Sequence, residues 1–172
     1  MNRHVTKRNF ATASRIAGFV ALSFLTIGVS PAFAATLSRS VDVSATVSAV
    51  WSMIGPFCAI KDWLPPVGTC TESAASPPER TLVTKDGKAT FVETQTARSD
   101  AGHSYSYVFK SSPLPVTDYA STIKVVSKAA GVSTVTWSST YVPDPGKEEA
   151  ASEALSGIYE AGLAAIKARF AK

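Results

Sequence analysis

Glu93 and Gln95 are the polar residues whose spacing most directly suggests chemistry in this sequence. They follow Phe91 at every second position, which is the period of one face of a β-strand. If Phe91 points into the protein, a carboxylate and an amide point inward with it. Glu93 is then either a solvated residue on the outer face or a carboxylate inside an apolar cavity. In a cavity, desolvation would raise its pKa and suit it to general acid or base chemistry near neutral pH.

Three hydroxyl-bearing residues, Tyr107, Tyr119 and Ser121, belong to the strands that follow. The tyrosine hydroxyls could hydrogen-bond a ligand oxygen while their rings form an apolar wall. Ordinary strand core is the alternative interpretation. His103 is the single histidine beyond the first 34 residues, so the sequence has no Ser-His-Asp set. It also has no zinc motif and no phosphate-binding glycine-rich loop, and we expect neither a metal nor a cofactor.

The segment 112–116 connects two strands that each have an apolar face. Leu114 and Val116 are apolar residues in a turn, where exposed side chains would be unfavourably solvated. Pro113 and Pro115 stiffen the segment and reduce the entropy lost when it closes. We predict a lid over the mouth of the cavity, and contact with a partner protein is the alternative.

Alternating apolar residues and turn signals predict a run of antiparallel strands with short helices near its start. The Asp-Gly turn within 85–88 marks one hairpin. The predicted strands are 38–43, 67–73, 80–84, 89–97, 103–110, 119–127 and 132–142, and the predicted short helices are 49–54 and 57–64.

A long C-terminal helix follows the Pro- and Gly-containing turn 143–146. Its apolar residues recur at the three-and-four spacing of an amphipathic helix. They are Leu155, Ile158, Tyr159, Gly162, Leu163, Ile166 and Phe170. Small residues in the middle of this helix indicate either an enclosed hollow beneath it or close packing of its backbone against the sheet.

The first 34 residues have the pattern of an export signal. A basic start precedes the apolar run 16–29, and the small residues at 32–35 resemble a signal-peptidase site. The run holds about fourteen residues, whereas a membrane span needs about twenty. We predict cleavage after Ala34, no stable membrane anchor afterwards, and a single domain at 35–172 in a periplasm or outside the cell.

Charge and cysteine content limit the partners of residues 35–172. Four of the 17 Lys and Arg lie in the signal, which leaves 13 basic against 13 acidic residues. This balance gives no reason to expect nucleic acid as a partner. Cys58 and Cys70 form either a disulfide, favoured by an oxidising compartment, or a pair of buried thiols.

Three segments carry a resemblance to a known family. They are 57–70 (FCAIKDWLPPVGTC), 104–107 (SYSY) and 114–119 (LPVTDY). The chain resembles the bacterial polyketide cyclase branch of the START-like (SRPBCC) superfamily and, more distantly, plant lachrymatory-factor-synthase-like proteins and abscisic-acid receptors. The resemblance implies an α+β helix-grip fold. In that fold a curved antiparallel sheet of about seven strands wraps a long C-terminal helix, and two short helices follow the first strand.

The resemblance also implies a set of site residues. Glu93 matches a carboxylate that lines the receptors' pocket, and Arg80 with Glu93 matches the catalytic pair of the lachrymatory-factor synthases. The pocket positions implied by the resemblance are Tyr107, Phe109, Leu114, Pro115, Val116, Tyr119 and Ser121. We also predict that a ligand held between the sheet and the C-terminal helix contacts Trp63, Val67, Leu155, Ile158 and Tyr159. The receptors' gate sequence is replaced here by the turn 85–88, which argues against hormone-gated recruitment of a phosphatase.

Three functions follow from these expectations. The first is an exported protein that binds a small hydrophobic or amphipathic molecule between the sheet and the C-terminal helix. The second is a cofactor-independent cyclase, isomerase or dehydratase for a small carbonyl or polyketide-like compound, with Glu93 as acid or base. The third is a protein-contact module that uses the segment 114–116. The sequence identifies no protein partner.

Overall fold

The computed structural model of the protein describes Met1 and residues 33–171. Residues 2–32 of the predicted signal sequence lie outside the described residues. Within 33–171, no helix has the length and apolar character needed to cross a bilayer.

Seven strands and three α-helices make up the described chain, in the predicted order. The strands are β1 Ala35–Val43, β2 Val67–Ser73, β3 Glu79–Thr84, β4 Thr90–Ser99, β5 Ser104–Ser111, β6 Val116–Ala129 and β7 Val132–Pro143. The helices are α1 Val47–Ile54, α2 Ile60–Trp63 and α3 Glu148–Arg169, and a 3₁₀ turn at Phe57–Ala59 precedes α2. The second predicted short helix therefore divides into this 3₁₀ turn and α2.

All seven strands form one antiparallel sheet in the order β1-β7-β6-β5-β4-β3-β2. Along β7, Val135, Trp137, Ser139 and Tyr141 are buried while the residues that alternate with them are more exposed, as the period of two requires. The predicted α+β architecture, with about seven antiparallel strands and a long C-terminal helix, is confirmed.

The segment between β5 and β6 is shorter than the sequence predicts. Val116 pairs with Pro143 of β7, so Val116 belongs to β6 and the connecting segment ends at Pro115. Asp118 has a φ of 49°, and the pairing of β6 with β7 is irregular between Thr117 and Ala120. This irregularity interrupts the alternating pattern, which explains why the predicted strand began only at Tyr119.

The helix α3 packs closely against the sheet at its centre. A Cβ atom at Gly162 would lie 2.9 Å from Trp137 and 3.1 Å from Trp63, whereas Gly157 faces open space. Of the two interpretations of the small residues, close packing is therefore correct at Gly162. Ile158 is half-buried beside the buried residues Leu155 and Tyr159.

The two cysteines form a disulfide. Cys58 in the 3₁₀ turn is bonded to Cys70 in β2, and their Cα atoms are 5.5 Å apart. The bond fastens the turn to the strand at the edge of the sheet. It closes a short loop and contributes about 3 kcal/mol in the chain-entropy estimate.

Candidate functional site

Arg80 and Glu93 occupy directly opposite positions on β3 and β4. Arg80 has no solvent exposure, and Glu93 is 4 % exposed. Of the two interpretations of Glu93, the inward one is therefore correct. Gln95, two residues further along β4, faces the same side of the sheet as Glu93 and is also buried.

The Arg80 guanidinium is held by an ion pair, a backbone carbonyl and three aromatic rings. Its Nε donates a hydrogen bond to Glu93 Oε2 over 2.6 Å, and its Nη1 donates to the carbonyl oxygen of Phe57. Its Cζ lies 4.0 Å from the centre of the Phe57 ring and 5.1 and 5.7 Å from those of Tyr107 and Tyr105. These contacts stabilise a buried cation through the ring faces and fix the direction of its remaining nitrogen.

Three buried polar atoms near this pair make no hydrogen bond of good geometry with the described residues, although the Arg80 guanidinium is close enough to the Tyr105 hydroxyl to oppose the rise that burial causes in the pKa of Tyr105. They are Arg80 Nη2, Gln95 Nε2 and the Tyr105 hydroxyl. The two nitrogens can only donate, and the hydroxyl can donate as well. Each buried group left unpaired lowers the stability of the fold by about 1–3 kcal/mol. The inner face therefore presents donors suited to acceptor oxygens.

Burial and charge act in opposite directions on this pair. Burial raises the pKa of the Glu93 carboxyl above its usual range, and the Arg80 charge opposes that rise without cancelling it. Burial disfavours the Arg80 charge, but the Glu93 carboxylate raises the pKa of Arg80 overall, so the guanidinium stays protonated. Burial also raises the pKa of Tyr105 and Tyr107, which keeps both hydroxyls protonated.

A second polar cluster extends from Tyr107 toward α3. The Tyr159 hydroxyl lies 2.7 Å from the Tyr119 hydroxyl and 3.0 Å from Ser121 Oγ. The indole nitrogen of Trp137 donates to Ser121 Oγ over 3.0 Å and to the Tyr107 hydroxyl over 3.1 Å. Tyr107 therefore belongs both to this cluster and to the wall around Arg80.

Aromatic rings pack against one another around this cluster. Tyr159 stacks on Trp137 with ring centres 4.2 Å apart, and Trp63 meets Trp137 edge-on at 5.5 Å. Phe109 stacks on Tyr119 at 3.8 Å. A ligand that enters this region has to displace or separate these rings.

A cavity of about 240 Å³ opens where β5 ends and β6 begins. Among its lining residues are Phe109, Val116 and Tyr119, all three of them predicted site residues. Leu114 and Val116 are half-buried and pack against the core. Leu114, Arg80 and Glu93 are not among the residues that line this cavity, so the cavity does not reach the charged pair in this structure. The lid and the protein contact both remain predictions.

A larger hollow, of about 510 Å³, lies away from the charged pair. Most of its lining residues are Ser and Thr side chains that alternate with the inward-facing residues of their strands, such as Thr122, Ser138 and Thr140. Arg80 and Glu93 are not among its lining residues. It therefore lies mainly on the other face of the sheet, although its lining also includes Tyr107 and Ser121 of the second polar cluster.

The predicted residues fall into two groups by burial. Buried are Trp63, Val67, Arg80, Glu93, Tyr107, Tyr119, Ser121, Leu155 and Tyr159, and half-buried are Phe109, Leu114, Pro115, Val116 and Ile158.

Three residues of the site were not predicted from the sequence: Phe57, Tyr105 and Trp137. Tyr105 and Trp137 share the strand phase of Tyr107 and Ser121, so alternation alone could have placed them there. Phe57 gave no such signal, because its contact with Arg80 joins distant parts of the chain. Within the described residues, no cluster of three or more His, Cys, Asp or Glu side chains has metal-binding geometry.

The antiparallel sheet, the long C-terminal helix and the polar pair on the inward face define a helix-grip protein of the START-like class. Residues 34–171 match the model of the family described as polyketide cyclase/dehydrase and lipid transport, and the chain belongs to that family. Comparison with curated protein sequences gives no match.

Solved structures show the same architecture. An uncharacterised protein from Bacillus thuringiensis is 32% identical, with a TM-score of 0.74, and the match covers 79% of this chain and 98% of that one. The protein XoxI from Bacillus cereus is 32% identical, with a TM-score of 0.75 and coverage of 79% and 95%. The Zhui aromatase/cyclase from Streptomyces sp. R1128 is 15% identical, with a TM-score of 0.65 and coverage of 80% and 93%, and at that identity it shows the fold alone.

Proposed function

We propose that this protein binds a small amphipathic molecule whose polar head carries an acceptor oxygen. The observation that carries the proposal is the buried Arg80 Nη2, which has no hydrogen-bond partner among the described residues although Nε and Nη1 of the same guanidinium do. A fixed donor inside an apolar, aromatic enclosure is the usual arrangement for orienting a ligand. Family membership supports a ligand-binding or cyclase role of this kind.

Glu93 has a positioning role in this proposal. Its carboxylate holds Arg80 through Nε, which leaves Nη2 free to donate to the ligand. Gln95 Nε2 and the Tyr105 hydroxyl supply further donors. A carbonyl, carboxylate or phenolate oxygen matches this set, whereas an ammonium head would face donors and a cation.

In this proposal the ligand enters where β5 ends and β6 begins, and it reaches Arg80, which does not line the cavity there, only after the side chains between them move. The cavity there, of about 240 Å³, is smaller than the roughly 300–1,000 Å³ of typical ligand sites. Leu114 and the stacked rings of Phe109 and Tyr119 therefore move when the ligand binds. Binding is expected to include this conformational step.

Native mass spectrometry of the protein purified from its own host tests the proposal. We expect a stoichiometric adduct of about a few hundred daltons that is retained in the Arg39→Lys control, since Arg39 lies in an exposed pair. Arg80→Lys should lose the adduct, because lysine lacks the planar fork that donates in three directions. An adduct that survives Arg80→Lys unchanged would contradict the role of Arg80.

Enzymatic isomerisation is the second candidate. It is favoured by the raised pKa of Glu93 and by the hydrogen bond between Arg80 and Glu93. An ionised Glu93 removes a proton from the carbon beside a ketone, the C–H electron pair moves to the carbonyl, and the enolate oxygen accepts from Arg80 Nη2. Return of the proton to another carbon completes the isomerisation without a further reactant.

Glu93→Gln separates the two functions. If the protein is an enzyme, this variant retains the adduct and loses turnover of the identified molecule, because glutamine cannot accept the proton. Unchanged turnover in Glu93→Gln would reject the catalytic proposal.

Export is part of the proposed function. The disulfide between Cys58 and Cys70 suits an oxidising compartment. Intact-mass measurement of the exported protein should give a chain that begins at Ala35. An exported protein that retains residues 1–34 would contradict the proposed cleavage.

A further inference from the structure

The disulfide is adjacent to Phe57, the residue whose carbonyl and ring contact Arg80. Cys58 directly follows Phe57, whose carbonyl accepts from Arg80 Nη1 and whose ring lies 4.0 Å from Arg80 Cζ. Cys70, the other half of the disulfide, stands opposite Leu82 in the pairing of β2 with β3. Leu82 is two residues from Arg80 on the same face of β3. The bond therefore ties the covering residue to the sheet beside the residue that it covers.

Few other polar contacts hold the 3₁₀ turn in this position. Its first residue is preceded by Pro56, and no side-chain hydrogen bond caps it. The Phe57 ring packs edge-on against Tyr105 and Tyr107, with ring centres 5.6 and 6.5 Å away. Because a 3₁₀ turn of three residues has little stability of its own, these tertiary contacts and the disulfide fix its place.

We propose that the Cys58–Cys70 disulfide positions Phe57 as a cover over Arg80, and that its reduction by a dithiol loosens the cover and weakens the polar end of the site. The effect on ligand binding rests on the proposed function, whereas the effect on Arg80 does not. Phe57 and the two cysteines are positioning residues here, because they act through the guanidinium.

The reduction is an ordinary thiol–disulfide exchange. One thiolate of the dithiol attacks a disulfide sulfur and displaces the other cysteine as a thiolate, and the second thiol of the reagent then breaks the mixed disulfide. Two electrons pass to the protein, which ends with two cysteine thiols, while the dithiol ends as its own disulfide. Cys58 and Cys70 are both half-buried, so part of each residue is accessible to solvent.

Hydrogen exchange measured by nitrogen-edited NMR tests the proposal without any ligand. The Arg80 Nε proton and the backbone amide proton of Val135, which lies in β7 between β1 and β6, are followed before and after reduction with dithiothreitol. We expect reduction to accelerate exchange at Arg80 at least about tenfold more than at Val135, because the opening is local. Equal acceleration at both sites in a reduced protein that stays folded, or none at Arg80, would overturn the proposal.

A disulfide that only stabilised the whole domain would change both exchange rates equally. If reduction unfolds the domain entirely, Phe57→Leu in the oxidised protein tests the cover directly, because it keeps the carbonyl and removes the ring. Exchange at Arg80 should then rise while exchange at Val135 is retained, and an unchanged Arg80 rate would overturn the proposal. Failure of the proposed function is distinguishable, since it appears as the absence of an adduct in the oxidised protein.

Discussion

Arg80 Nε donates to Glu93 Oε2 over 2.6 Å, between two residues that stand directly opposite each other on neighbouring strands and are almost completely buried. Two charges withdrawn from water in this way are costly unless each is fully paired. Glu93 Oε2, the Phe57 carbonyl and the aromatic rings satisfy only part of the guanidinium. The protein thus maintains an incompletely satisfied charged group in its interior, as the proposed ligand binding requires.

Removing one member of this pair should be strongly destabilising. Arg80→Met leaves Glu93 buried without its partner and should lower the free energy of unfolding by about 3–5 kcal/mol. Arg39→Met is the matched control, because the pair of Arg39 with Glu160 is exposed and should contribute about 0–1 kcal/mol. Urea unfolding followed by circular dichroism measures both values. A loss in Arg80→Met no larger than in the control would show that the pair is not buried as described.

The raised pKa of Glu93 predicts a specific pH dependence. Because burial raises this pKa above the ordinary value of 4.5, the folded state binds the proton more tightly than the unfolded chain. The stability gained from protonation is fully present below that ordinary value and is lost as the pH rises through the raised one. Urea unfolding of the wild type and Glu93→Gln over this range isolates the effect. The stability of the wild type relative to the variant should fall with rising pH, and a rise would mean that the pKa is lowered.

Two glycines of α3 should respond oppositely to the same substitution. Gly162→Ala places a methyl group 2.9 Å from Trp137 and 3.0 Å from Leu64, and should lower the melting temperature. The overpacking costs about 1–3 kcal/mol, which exceeds the helix propensity gained. Gly157→Ala meets no atom within 4 Å and should be stabilising by up to about 1 kcal/mol. A stabilised Gly162→Ala would indicate a hollow beneath α3 instead of close packing.

Sequence periodicity was sufficient to predict most of the fold. The alternating residues of β7 and the three-and-four spacing of α3 reflect burial on one face, which local sequence records directly. Irregular pairing between strands produces no such periodic pattern in the sequence. The register of β4 against β5 shifts between Val92 and Glu93 and again between Gln95 and Ala97, and the start of β6 is similarly displaced.

The site was less predictable than the fold because its geometry depends on contacts between distant segments. The family resemblance indicated Arg80 and Glu93, but only the pairing of β3 with β4 brings them within hydrogen-bond distance. The contact between Arg80 and Phe57 spans 23 residues and has no periodic signal. Likewise, the small residues of α3 predicted either packing or a hollow, and the position of Trp137 decides between them at Gly162.

The second polar cluster, which extends from Tyr107 to Tyr159 of α3, should contribute measurably to stability. Tyr159→Phe removes the hydroxyl that lies 2.7 Å from Tyr119 and 3.0 Å from Ser121. The loss should be about 1–3 kcal/mol in the free energy of unfolding, because buried partners are left unpaired. Tyr141→Phe is the control, since the Tyr141 hydroxyl makes no side-chain hydrogen bond with the described residues. Equal losses in the two variants would show that the cluster contributes no net stability.

Nitrogen-edited NMR of the arginine side chains during ligand titration tests the central claim most directly. The probe is 2-naphthoate, which joins an apolar ring system to an acceptor head, and the control is naphthylmethylammonium, which has a donor head on the same rings. We expect a saturable shift of the Arg80 Nε–H signal with naphthoate, none with the ammonium compound, and no change at the exposed Arg39. An Arg80 signal that is unmoved by naphthoate, or is moved equally by both compounds, would contradict the claim that Arg80 binds an acceptor oxygen.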